Sequence, residues 1–207
     1  MLSDQLAPLL LKILNIIEDT TESVGLFIHY LEKSDLDADY KTNWRITCSS
    51  FKTPKIDKSQ KESIAVQSLK DLHTVYLDNE IEILTFTGSK DEINQAIRNN
   101  PSFGNEVFDL TPDNLINDIF DNTYNTEQLS FILYDKVQKI YCHYASFRDL
   151  DKRNVVFHYL QPLMDTADKI RHNAMTARSL MFEFERIFRN AVYVDAKKLL
   201  ANKKEAS

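Results

Sequence analysis

Residues 156–199 read VFHYLQPLMDTADKIRHNAMTARSLMFEFERIFRNAVYVDAKKL. Apolar side chains recur at alternating steps of four and three: Val156, Leu160, Leu163, Ala167, Ile170, Ala174, Ala177, Met181, Phe184, Phe188, Ala191. The next steps of that rhythm land on Asp195 and Leu199. A period near 3.5 held this long predicts one long helix, or two in line, carrying a narrow apolar seam. At 1.5 Å per residue such a helix extends roughly 65 Å, longer than its neighbours in sequence. Part of the seam, Ala174, Ala177, Met181, Phe184 and Phe188, is therefore expected to meet a second copy or another protein. Pro162 lies inside the stretch and is expected to kink or break it near residues 158–161, because proline has no N–H and crowds the preceding turn.

Working outward, residues 3–32 keep the same rhythm through Leu6, Leu10, Ile13, Ile17, Val24, Ile28 and Leu31, with Thr20 and Thr21 in the gap. Pro8 falls near the first turn, and Gly25 weakens the far end. Thr111-Pro112 is a helix-start signal, cap then proline, leading to Leu115, Ile116, Ile119 and Phe120. Asn122–Asn125 is expected to close that helix and Thr126 to cap the next, whose seam is Leu129, Leu133, Val137, Ile140, Tyr144 and Phe147. Asp149 and Asp151 mark the entrance to the C-terminal helix.

The stretch between residues 42 and 110 is harder to read. TNWRITCSSF (42–51) half-alternates, as a weak strand or short helix does. Residues 63–77 read as a helix. EIEILTFT (80–87) alternates and then runs apolar, which favours a strand, stopped by Gly88. Ser89 with Glu92 forms a capping box for a short helix. The expected fold is mainly α: a single helical domain over 1–207, a bundle of long helices, with a small mixed α/β insert at 42–110 and the long helix at 152–200.

Composition narrows the function. The 207 residues include 3 Gly and 5 Pro, so GxGxxG and GxxxxGK[ST] phosphate loops are absent. Hydrophobic residues are 43% and charged residues 27%, ordinary for a globular chain. No apolar run is long enough to span a bilayer, since Lys12 and Asn15 interrupt residues 9–17. The first residues hold Asp4 and no Lys or Arg, unlike a secretory signal. Cys48 and Cys142 stand alone, outside any CxxC pair. A cytoplasmic protein is expected. The net charge of −6 is uneven, because residues 148–207 hold 12 Lys/Arg against 8 Asp/Glu. Ordinary solvated faces account for that, and attraction to an acidic partner is the alternative.

One motif points to chemistry. Arg153-Asn154-Val155-Val156-Phe157-His158 resembles the R-N-x-x-x-H motif of the HEPN superfamily, all-helical proteins many of which are metal-independent RNases. The resemblance covers six residues. It implies Arg153 as phosphate and transition-state stabiliser, His158 as general acid or base, Asn154 as geometric support, and a site completed across a dimer interface. The five-residue spacing is expected to bring Arg153 and His158 within reach of one helix face. His158-Tyr159-Leu160-Gln161-Pro162-Leu163 is similar to the phosphoacceptor box of histidine kinases, H-E-[LI]-R-x-P-L, but the proline is one residue too close and no acid follows the histidine.

No metal site is expected. The five histidines (His29, His73, His143, His158, His172) form neither Glu-x-x-His nor HExxH, and Cys142 and His143 point to different helix faces. No cofactor is implied. The aromatic residues of 126–148 and of the C-terminal helix read as core, and Arg171, Arg178, Arg186 and Arg189 as a mixed solvated face. The expected function is a non-enzymatic, regulatory interaction protein working through its apolar seams as a homodimer or with a protein partner. The alternative is a HEPN-like ribonuclease using Arg153, Asn154 and His158, in which case RNA is the partner.

Overall fold

Buried positions along the C-terminal stretch follow the expected seam as far as Phe188. Val156, Leu160, Leu163, Ala167, Ile170, Ala174, Ala177, Met181, Phe184 and Phe188 are all buried. Beyond it the buried positions are Val192 and Ala196, while Leu199 is 42% exposed. A straight α-helix drifts by about 20° per heptad against a strict 3.5 repeat. By the fifth heptad the inward face has moved one residue along, from Ala191 to Val192.

The structure is a computed structural model and describes residues 2–54, 59–85, 91, 92, 95 and 114–205. Its elements are α1 (Leu2–Lys33), α2 (Ala38–Ser49), α3 (Lys61–Thr85), α4 (Leu115–Ala145), α5 (Leu150–Val155), a π-helical turn (Val156–Leu160) and α6 (Gln161–Glu205). The fold is mainly α, and no strand occurs among the described residues.

The mixed α/β insert is therefore corrected: its described residues hold helices joined by turn and loop, and no strand. In α2 the buried residues are Trp44, Thr47 and Cys48, spaced as one helical face. A strand would put Ile46 beside Trp44, yet Ile46 is 63% exposed. Residues 80–85 continue α3. Ala65, Leu69, Leu72 and Tyr76 are buried, and half-buried Asn79, Glu80 and Ile83 prolong that same face. The alternation in the described residues 80–85 is a short window on a 3.6-residue period. The Gly88 stop, the capping box at Ser89 and the Thr111-Pro112 start lie at positions outside the described residues, although Glu92 itself is helical.

Two expected helices fuse into α4. Its start is capped by Asn114, whose Oδ1 accepts from the Ile116 N–H at 2.8 Å while its Nδ2 donates to the Ser68 carbonyl at 3.0 Å. Asn122 and Thr126, expected as stop and cap, sit mid-helix and buried. Asn122 Nδ2 donates to the Lys52 carbonyl, and Thr126 Oγ1 lies 3.4 Å from Asn122 Oδ1. Polar side chains that satisfy each other and a neighbouring carbonyl remove the reason to end a helix there.

Pro162 does not break the chain. The Gln161 N–H bonds the Val156 carbonyl five residues back, and a π turn absorbs the hydrogen bond that Pro162 cannot donate. α1 likewise runs past Pro8, its seventh residue and so inside the helix, and past Gly25.

The chain divides into two compact units, neither continuous in sequence. The first comprises Met1–Lys12, Lys55–Phe120 and Leu180–Ser207; the second comprises Ile13–Pro54 and Asp121–Ser179. In the first, Leu6, Leu10, Leu69, Leu72, Ile116, Ile119, Met181, Phe184 and Phe188 are buried. Phe184 and Phe188 stack at 6.1 Å, and Tyr76 meets Phe188 edge-on at 5.5 Å. In the second, Val24, Phe27, Leu31, Trp44, Cys48, Leu133, Val137, Leu160, Leu163 and Ile170 form one cluster. Burying each large side chain contributes about 1.5–3 kcal/mol. Residues 42–110, expected as one insert, are split between the two units.

Candidate functional site

The HEPN-like motif begins at a helix start. Asp149 Oδ1 accepts from the Asp151 N–H at 3.0 Å and caps α5. Arg153, Asn154 and His158 are all exposed. Arg153 Nε lies 3.4 Å from the Phe147 carbonyl, which draws the guanidinium back over the loop before α5. His158 sits in the middle of the π turn, its ring 6.5 Å from that of Tyr159. Five residues of α-helix separate two side chains by about 140°, so the spacing alone does not place them on one face. The π turn narrows that angle. Leu150, before the motif, and Phe157, within it, are 73% and 66% exposed.

The seam residues are placed differently from the expectation. Ala174 and Ala177 of the second unit, and Met181, Phe184 and Phe188 of the first, are at most 2% exposed. The chain's own helices cover them.

What the second unit does expose is the outer face of α4 and its border with α6. Tyr141 Oη donates to Gln161 Oε1 at 2.7 Å, the Arg171 guanidinium lies 3.9 Å from the Tyr134 ring centroid, and that of Arg178 lies 5.4 Å from the Tyr124 ring. Rising numbers on α4 meet falling numbers on α6, so the two run antiparallel. On its other flank α4 is held to α2 by Lys136 Nζ, 2.7 Å from Asn43 Oδ1 and 2.8 Å from Thr47 Oγ1. Tyr124, Phe131 and Ile132 of α4 are 50%, 41% and 47% exposed, and Met175 of α6 is 46% exposed. Arg171 pairs with Asp168 at 2.6 Å, and its buried Nε has no hydrogen-bond acceptor among the described residues. Exposed aromatic and Met side chains beside stacked guanidinia match the composition enriched in protein interfaces.

The sequence reading assigned Phe131 to the core and Arg178 to the solvated face. The structure exchanges them: Phe131 is exposed and Arg178 is buried. The available signal was the Tyr124–Phe131 pair, seven residues apart and off the Leu133–Val137–Ile140 seam.

Other reactive groups are built into the packing. Burial pushes the Cys48 thiol up to about 12, against the opposing pull of the Lys136 ammonium, which leaves it an inert core residue. Cys142 is exposed. In the first unit His73 Nε2 lies 3.3 Å from Asp195 Oδ2, tying α3 to α6, and its ring meets Phe188 edge-on. Burial also raises the Glu80 carboxyl above its ordinary range, partly offset by Arg189. An open depression of about 570 Å³ lies against Asp37, Ala38, Asp39 and Tyr40 at the start of α2. Its acids complement the helix dipole and repel an anion. Among the described residues no three His, Cys, Asp or Glu side chains converge as metal ligands, and no helix is long and apolar enough to cross a membrane. Comparison with protein-family models, with curated proteins and with solved structures finds no match.

Proposed function

We propose that this chain is a non-enzymatic interaction protein of regulatory type, acting as a homodimer in the cytoplasm through the outer face of α4 and its border with α6. The observation that supports this reading is the exposure of Tyr124, Phe131 and Ile132 on α4 and of Met175 on α6, two helices that the Arg171–Tyr134 and Arg178–Tyr124 contacts hold side by side. The buried seam holds the fold, and the outer face is left for a partner. The cytoplasmic setting fits two cysteines that remain unpaired. The test is molar mass by light scattering on the wild type and on a Phe131→Glu/Met175→Glu variant. The reading predicts a wild-type dimer at tens of micromolar and a variant that is monomeric with unchanged helical circular dichroism. A wild type that stays monomeric, or a variant that dimerises equally well, overturns it.

A second reading has one specific observation in its favour. The π turn is centred on His158 of the HEPN-like motif, and π turns are frequent at functional sites. Under it Arg153, Asn154 and His158 cleave RNA without a metal. Arg153→Ala and His158→Ala should each then lower cleavage of a single-stranded RNA by about 10²-fold or more. Equal cleavage by wild type and both variants, or none by any of them, sinks the idea.

A further inference from the structure

We draw no further inference here: the strongest candidate, the exposed aromatic and arginine face of α4 and α6 in the second unit, belongs to the site already described and nothing in the structure identifies the chemistry of what covers it.

Discussion

The inward face of α6 is built from different materials in the two units. In the second it presents Ala167, Ala174 and Ala177 among its buried positions; in the first it presents Met181, Phe184 and Phe188. Alanine lets a neighbouring backbone approach, so stability there comes from tight fit with little volume per residue. The aromatic half fills space with rings, and Phe188 alone meets Phe184, Tyr76 and His73. One helix thus uses two packing solutions, and the two should fail in opposite ways. Removing volume should hurt the aromatic half most, and adding volume should hurt the alanine half.

The largest effect is expected from Phe188→Ala. Truncating a fully buried phenylalanine costs about 3–5 kcal/mol, which is a sizeable part of a domain's net stability. Ala174→Leu, which adds volume where none is spare, should cost about 1–3 kcal/mol. Urea denaturation of both variants checks the order. An Ala174→Leu variant as stable as wild type would show that the second unit has room beside α6, and the contrast would collapse.

This contrast also shows what the sequence could tell. The seam from Val156 to Phe188 was legible because the drift between 3.5 and 3.6 residues per turn is small over four heptads. The reading departs from the structure from Ala191 onward, where the drift has accumulated and Val192 takes the inward position. Short windows carried less. Ile46 looked like a partner of Trp44 because ten residues show too few turns to separate a period of two from one of 3.6. Asn122 looked like a stop because its partner, the Lys52 carbonyl, is 70 residues away. The outer face of α4 was hidden for the same reason. Whether Phe131 or Arg178 is buried depends on which helices flank α4 and α6, and that is a long-range fact. The Arg153–His158 spacing was readable, but the π turn that sets its angle arises from Pro162 acting on a preceding turn.

A smaller effect sharpens the account of the second unit from the stabilising side. Gly25 lies on the exposed side of α1, and an added Cβ would meet nothing within 4 Å. Its only consequence is a more flexible unfolded chain and a weaker helix. Gly25→Ala should stabilise by about 0.5–1 kcal/mol, read as a rise in the urea midpoint. A fall would mean that the helix around residue 25 needs a conformation alanine resists.

The smallest expected effect belongs to the first unit and carries a sign. The Glu80 carboxyl is raised above its ordinary value chiefly by burial, with Arg189 pulling the other way. A group whose folded pKa is raised contributes stability below its unfolded pKa, and that contribution is lost as pH rises through the folded value. At neutral pH the Glu80 carboxylate therefore weakens the contact between α3 and α6. Glu80→Gln should raise the urea midpoint slightly at pH 7, with the difference from wild type vanishing as pH falls below the ordinary glutamate range near 4. Arg189 keeps its own partner in the variant, because Glu185 lies 3.1 Å away on the same helix. If Glu80→Gln is instead less stable at pH 7, attraction to Arg189 outweighs desolvation. The aromatic half of α6 would then be held by charge as well as by rings.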